Sequence, residues 1–239
     1  MPVAGRSSDR VGVCTALVTG ANRGIGLEVC RQLLANGLRV VLTAREAEAA
    51  YSAARRLSDA EGDVLGMVLD VSKPGQVQAC ADALHMNGIQ IDVLINNAGV
   101  FPQGGTLDAK ASDFVDALAI NALGALWCAR AWMPAMNARG EGRVINISSG
   151  YGSFARGLQG PAPYGVSKAA LNAVTLQLAH DAVAGVRVVA IDPGWVRTRM
   201  GGDAAPDAVE DAAADIVWAA TAAEVPSGVL LRGRQVVDW

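Results

Sequence analysis

The sequence predicts one α/β domain: a doubly wound parallel sheet of seven strands with helices on both faces. Three observations predict it. Short apolar runs rich in Val, Ile and Leu recur along the chain and stop at Gly, Asn, Asp or Ser, as strands buried on both faces do. Stretches with helical periodicity separate these runs. The 239 residues show no repeat, linker or composition break. We therefore expect a single domain over 1–239, with 1–11 a polar tail that is disordered or extended.

Composition narrows the function classes. Hydrophobic residues make up 51% and charged residues 18%, enough apolar material for a sizeable core. A net charge of −3 argues against a nucleic-acid surface. No uninterrupted run of eighteen apolar residues occurs, so no membrane span is expected. The N-terminus lacks a hydrophobic signal segment. The cysteines are scattered without metal-ligand spacing, so no metal is expected. Cys14, Cys30 and Cys128 lie in apolar patterns and read as reduced core thiols, consistent with a cytoplasmic protein.

Taken in order, Cys14–Thr19 is the first strand, and Gly20, Gly24 and Gly26 fill the turn into a helix that begins near Gly26. A strand, a glycine turn and a helix N-terminus form a pyrophosphate site, because free N–H groups and the positive end of the helix dipole converge there. An ordinary strand-to-helix turn is the plain alternative. Leu38–Thr43 is the second strand, after Asn36-Gly37 ends the helix. The residue beyond this strand meets the adenosine ribose in a dinucleotide unit, and a carboxylate there selects NAD. Here the tip reads Thr43-Ala44-Arg45, and Arg45 with Arg23 offers guanidinium groups for a 2′-phosphate, so NADP(H) is expected.

A polar helix over about 46–60 precedes the third strand, Val64–Leu69. Asp70 beyond it either accepts from an adenine amino group or caps the next helix. The fourth strand, Ile91–Ile95, runs into Asn96-Asn97-Ala98-Gly99, whose small residues let backbone lie against a flat ligand. A long helix over about 111–138 is apolar nearly all round and holds Asn121 at its middle. An unpaired buried amide costs about 1–3 kcal/mol, so Asn121 is either satisfied structurally or holds a water. Strand five, Gly142–Ile147, ends in Ser148-Ser149, and a glycine-rich loop over 151–161 leads to Tyr164. Strand six, Val186–Ile191, ends in Asp192-Pro193-Gly194. A loop with Gly201-Gly202 follows as a candidate lid, then a helix over about 206–223 and a last strand near 229–231.

Tyr164 and Lys168 stand four apart at the start of a helix, on one face. A free tyrosine titrates near ~10. A cation about 4 Å away is worth roughly 4 kcal/mol at an effective dielectric near 20, or about 3 pKa units. The pair is therefore expected to act as an acid/base at neutral pH, with surface packing as the plain alternative. The helices over 111–138 and 164–182 are too apolar for one sheet to cover, so we expect a homodimer or homotetramer through them.

These residues together resemble the short-chain dehydrogenase/reductase family over nearly the whole chain. The matching elements are Thr19-Gly20-x-x-x-Gly24-x-Gly26, Asn96-Asn97-Ala98-Gly99, Asn121, Ser149, Tyr164-x-x-x-Lys168 and Pro193-Gly194. The Leu42–Arg45 tip, Pro193–Thr198 and the ending Asp238-Trp239 are similar to its carbonyl reductases, without their long insertion before the tyrosine. The resemblance implies a Rossmann-type sheet ordered 3-2-1-4-5-6-7. It implies that Tyr164 protonates the substrate oxygen and that Lys168 lowers its pKa and bonds the nicotinamide ribose. Ser149, rather than Ser148, would hold the substrate oxygen, and Asn121 would position a water. Cofactor contacts are implied at Gly20, Asn22, Arg23, Gly24, Ile25, Gly26, Arg45, Asp70, Val71, Asn97, Ala98, Gly99, Pro193, Gly194, Val196 and Thr198, with Thr198 on the carboxamide.

The expected function is NADPH-dependent reduction of a ketone or aldehyde of a small molecule. The same residues run in reverse would oxidise a secondary alcohol, and a non-catalytic nucleotide-binding regulator is the rival from another class. Tyr151 and Trp195 are assigned to the substrate wall; with Phe101 and Met200 they suggest an apolar or aromatic substrate, whereas Arg156 and Arg199 would suit an anionic one. No G-x-S-x-G elbow occurs, and His85 and His180 read as helix-surface residues, which leaves no hydrolase triad.

Overall fold

Seven strands pair in parallel in the order expected from the sequence. They are β1 (Thr15–Val18), β2 (Arg39–Ala44), β3 (Val64–Val68), β4 (Val93–Asn96), β5 (Gly142–Ile147), β6 (Val186–Ile191) and β7 (Leu230–Arg232), arranged β3-β2-β1-β4-β5-β6-β7. This computed structural model describes residues 13–239, so the tail expected over 1–11 lies outside the described residues. The helices are α1 (Gly24–Ala35), α2 (Ala47–Glu61), α3 (Pro74–Met86), α4 (Ala111–Ala117), α5 (Gly124–Arg139), α6 (Ala162–Asp181) and α7 (Val209–Thr221).

Alternation along each strand divides the core into two layers. Ala16, Val18, Val40, Leu42, Ile95, Ile145 and Val189 face α1 and α7 on one side, where Val29, Leu33, Ile216 and Val217 meet them. Leu17, Val41, Leu94, Val144 and Val188 face the other side and pack on Leu84 of α3, Trp132, Met133 and Met136 of α5, and Leu178 of α6. Strands covered on both faces need no polar alternation, which is why they read as unbroken apolar runs. The strand order reverses between β1 and β4, and the crevice at the carboxyl ends of these strands is where an open α/β sheet takes a ligand.

The sequence reading misses an eighth strand. β8 (Gln235–Val237) pairs antiparallel with β7. The turn between them is Gly233-Arg234, with φ of +54° and +64°, the conformation that closes a two-residue hairpin. Arg234 is an unusual choice there, since a left-handed arginine lacks glycine's freedom. Its guanidinium recovers the cost by donating Nε to Asp215 at 2.8 Å and lying over the Trp218 ring at 5.8 Å. The helix expected from about 206 starts at Val209, because Asp207 instead pairs through its backbone with Trp195 and Arg197.

The long apolar helix is continuous from Ala111 to Arg139 but widens to a π-helical turn over Leu118–Leu123. By length and composition it would suffice to cross a membrane. Here Cys128, Trp132, Met133 and Met136 bury its inner side on the sheet, as in a core helix. The cysteine reading needs one exchange: Cys14 is exposed, whereas Cys80 is buried beside Met67 with Cys30 and Cys128 also buried. Burial pushes the Cys80 thiol up to about 11 and raises Cys30 and Cys128 further, so these three stay protonated.

At the opposite end of the sheet, Asp92 accepts Thr15 N at 3.0 Å and Gln90 Nε2 at 2.8 Å, with Arg139 Nη2 at 3.6 Å. It ties the amino ends of β1 and β4 to α5. Asp92→Ala should lower stability by about 2 kcal/mol, because the buried Thr15 amide loses its acceptor. Urea unfolding should show a lower midpoint with an unchanged m-value.

Candidate active site

The glycine turn after β1 is built by a network of main-chain and amide hydrogen bonds. Thr19 Oγ1 accepts the amides of Asn97 and Ala98, both at 3.0 Å, and so binds the end of β1 to the end of β4. The Asn97 amide donates to Thr19 O at 2.9 Å and Gly20 O at 3.1 Å. This fixes the turn at the one place where side chains would obstruct it. A Cβ on Gly20 would lie 2.8 Å from Ala98 Cα, and one on Gly26 would lie 2.4 Å from Asn97 Nδ2. Arg23, the residue before α1, makes no side-chain capping bond, and no acid stands in the first turn of α1. The N-terminal amides of α1 are thus without a side-chain cap, and the residues fit a dinucleotide's pyrophosphate.

The residues expected to meet the outer part of a cofactor divide into exposed ones and ones held by structural contacts. Arg23 and Arg45 are exposed, and Asn22 and Ile25 are partly exposed. Asp70 does not cap α3, which starts at Pro74 without a side-chain cap; its Oδ1 closes the turn before it by accepting Ser72 N at 3.0 Å and Ser72 Oγ at 2.7 Å. Val71 is buried against Gly124 of α5, and Val196 is buried beside its bridge to Asp207. Neither valine offers its side chain to the crevice. Thr198 lies over the glycine turn, with Cγ2 3.5 Å from where a Gly24 Cβ would stand, and its Oγ1 accepts Gly201 N at 3.2 Å. Trp195 Nε1 donates to Gly201 O at 2.8 Å, which pins the segment expected to act as a lid.

Tyr164, in the first turn of α6, is 9% exposed and Lys168 is 5% exposed. Tyr164 hydrogen-bonds the Ser149 side chain. Phe101 and Tyr151 meet the Tyr164 ring edge-on, with centroids 4.6 Å and 6.4 Å away. Lys168 Nζ donates to Ile147 O at 2.6 Å and stands 5.6 Å from the Tyr164 ring centroid. The two serines separate cleanly. Ser148 Oγ donates to Asn172 Oδ1 in the core, while Ser149 turns to Tyr164.

Lysine tuning of the phenol, as expected from spacing, is corrected by burial. The Tyr164 phenol is pushed up to about 12, chiefly because burial penalises its charged form; the Ser149 hydrogen bond opposes this, and Asp192 and Tyr151 add to it. Burial also pulls Lys168 down to about 8. Spacing alone placed a cation beside the phenol but did not account for both groups leaving water together.

Asn121 also differs from a simple water holder. Its side chain accepts Val100 N at 2.8 Å and donates to Val100 O at 3.0 Å and Ser167 Oγ at 2.8 Å. Ser167 in turn donates to Tyr164 O at 2.7 Å. The amide is therefore filled by structure and locks the loop after β4 to the helix that carries Tyr164. Its position in the π-helical turn marks it all the same, since such turns cluster at functional sites. The sequence reading did not single out Ser167, Asn172 or Asp192: small polar residues inside a helix, as the first two are in α6, or just past a strand give no signal distinguishing such ties from local backbone bonds.

Residues 14–208 match the family model for short chain dehydrogenase. The chain belongs to the short-chain dehydrogenase family. As such it is an oxidoreductase whose family binds a nicotinamide cofactor and acts on small molecules. This short-chain dehydrogenase is 37% identical over 191 residues to a galactitol 2-dehydrogenase of Cereibacter sphaeroides, covering 79% of this chain and 73% of that one. It is 30% identical over 225 residues to a 3-oxoacyl acyl-carrier-protein reductase of Escherichia coli, covering 93% and 86%. An NADPH-bound carbonyl reductase from chicken fatty liver superposes with a TM-score of 0.84 at 28% identity, covering 96% of this chain and all of that one.

If Asn97 supports the glycine turn, Asn97→Ala should weaken binding of either nicotinamide dinucleotide about tenfold, the equivalent of one lost hydrogen bond. Fluorescence titration of the reduced cofactor measures this.

Proposed function

We propose that this short-chain dehydrogenase is an NADPH-dependent reductase of ketones or aldehydes, with Tyr164 as proton donor. One observation carries the reading: a buried phenol that bonds Ser149, stands one turn from Lys168 and keeps its proton up to about pH 12. At neutral pH the phenol carries its proton, as the donor in carbonyl reduction must.

Gly20, Gly24 and Gly26 with the N-terminus of α1 would hold the pyrophosphate, and Thr198 the nicotinamide end. Arg23 and Arg45 favour a 2′-phosphate, and two similar solved structures, the chicken carbonyl reductase and an L-sorbose reductase from Gluconobacter frateurii, hold NADPH. The cofactor supplies the hydride. Ser149 and Tyr164 donate hydrogen bonds to the carbonyl oxygen, where negative charge develops, and Tyr164 then releases its proton to it. Lys168, held by Ile147 O, stabilises the phenolate left behind. Phe101, Tyr151 and the half-exposed Trp195 form the wall on which an apolar or aromatic substrate rests. Val115, Leu123 and Val166 are exposed on the outer faces of α4 to α6, consistent with a homodimer or homotetramer in the cytoplasm.

Tyr164→Phe should lower kcat for carbonyl reduction by about a thousandfold, the middle of the range for general acid catalysis, while cofactor binding persists. The expected pH dependence follows from signs. Below about pH 8 Lys168 is a cation and Tyr164 a phenol, so kcat/KM should be flat. It should fall as Lys168 loses its proton above about 8. Arg45→Ala should raise KM for NADPH about tenfold or more and leave KM for NADH nearly unchanged, since a phosphate contact worth about 1.5–3 kcal/mol is lost with one cofactor alone. Initial rates with both cofactors measure it.

A further inference from the structure

The pair Asp238-Trp239, similar to the ending of the carbonyl reductases, has no part in the scheme above. It follows β8 and lies against the loop that leads from Ser149 to α6. Both contacts run through main-chain oxygens. Asp238 O accepts Ser153 Oγ at 3.1 Å, and Trp239 O accepts Ala155 N at 2.8 Å. Ser153 is fully buried, and its Oγ also accepts Arg156 N at 3.3 Å. Ser153 thus passes the hold of Asp238 on to the next turn of the loop.

Different parts of the fold hold the two halves of this loop. Ser149 and α6 hold the inner half: Tyr151 N donates to Ser149 Oγ at 3.2 Å, and Gly152 O accepts Asn172 Nδ2 at 3.0 Å. Asp238, Trp239 and the ion pair of Arg156 with Asp192, at 3.4 Å, hold the outer half over 153–158. That half needs restraint. Leu158 keeps a φ of +50°, which an L-residue adopts only where its surroundings impose it, and its amide donates to Ser153 O at 3.1 Å. Two residues on, Gly160 lies against the Tyr151 ring, where a Cβ would stand 2.7 Å from Cδ2. The outer half therefore leads into the backbone that supports this ring.

We propose that Asp238 and Trp239 are positioning residues: their main-chain oxygens fix the outer half of the loop, which keeps the Tyr151 ring in place to grip the aryl part of a substrate. The inference rests on the reading of Tyr151 as substrate wall. Ser149, Tyr164 and Lys168 are held by other contacts, so loss of the pair should loosen the grip and spare the proton transfer.

A protein ended after Val237 tests this against the full chain, each with NADPH bound. Hydrogen exchange of the amides over 154–158 should quicken about tenfold, the equivalent of one lost hydrogen bond, while that of β5 and α6 holds. The Kd of benzyl alcohol, read by ligand-observed NMR, should rise about tenfold, and KM for benzaldehyde with it. kcat for benzaldehyde and KM for propanal should stay unchanged. Ser153→Ala, which removes one of the bonds without shortening the chain, should act in the same direction and decides the matter if the shortened protein does not fold. Asp238→Ala, which keeps the main-chain oxygen, should match the full chain. Loop exchange that holds, exchange that quickens throughout the protein, or a full chain whose benzyl alcohol affinity is absent or insensitive to the change overturns the proposal. So does an equal fall in kcat for both aldehydes. A protein whose loop exchange and benzyl alcohol affinity respond, but which reduces neither aldehyde, would instead overturn the reductase reading and leave the positioning role standing.

Discussion

The bond from the Lys168 ammonium to the Ile147 carbonyl is the constraint on which the rest of the site depends. It holds the second turn of α6 against the carboxyl end of β5, with the donor 2.6 Å from an oxygen at the strand's last residue. From that anchor the Tyr164 ring is placed beside Ser149, which leaves the same strand two residues later. A buried ammonium needs such a partner, because taking it from water without one costs several kcal/mol. Placement of the Tyr164 ring and structural satisfaction of Lys168 are met here by the same contact.

Further polar chains carry the constraint into the sheet. Asn96 donates to Asn146 Oδ1 at 2.8 Å, Asn146 donates to Thr175 Oγ1 at 2.9 Å, and Thr175 donates to Leu171 O at 2.8 Å. This row crosses from β4 through β5 to α6 within the core. Asn121 and Ser167 form a second buried tie, from the π-helical turn to α6. The helix bearing Tyr164 and Lys168 is therefore registered against two strands and one loop by directional bonds, not only by apolar packing, which tolerates sliding.

The sheet was legible in the sequence because both of its faces are buried, so apolar runs and their glycine or asparagine stops mark strands without ambiguity. That the strands are parallel followed from those runs alternating with helices, and their order from the family resemblance. The β7–β8 hairpin was not legible, since Gly233-Arg234 lacks the usual Asn-Gly signal and depends on Asp215 and Trp218 to hold Arg234 in place. In the candidate site, spacing brought Tyr164 and Lys168 to one helix face, but spacing says nothing of solvent. Both are nearly enclosed, and that enclosure, not the four-residue interval, sets their proton affinities. The Asn97 amide read as a ligand group and bonds backbone, and Asn121, for which the sequence left a structural role and a water both open, bonds Val100 and Ser167, a distinction that only tertiary contacts make.

The glycines of the loop before α6 also constrain how this enzyme can diversify. Side chains at Gly152 and Gly160 would run into the Lys168 main chain and the Tyr151 ring, at 2.5 Å and 2.7 Å, just as one at Gly150 would meet Arg156. Phe154, Leu158 and Gln159 in the same loop project outward or lie only partly covered. Variation in this loop is thus left to exposed positions such as 154 and 159, since Leu158 has a φ of +50° and the glycines at 150, 152 and 160 leave no room for a side chain.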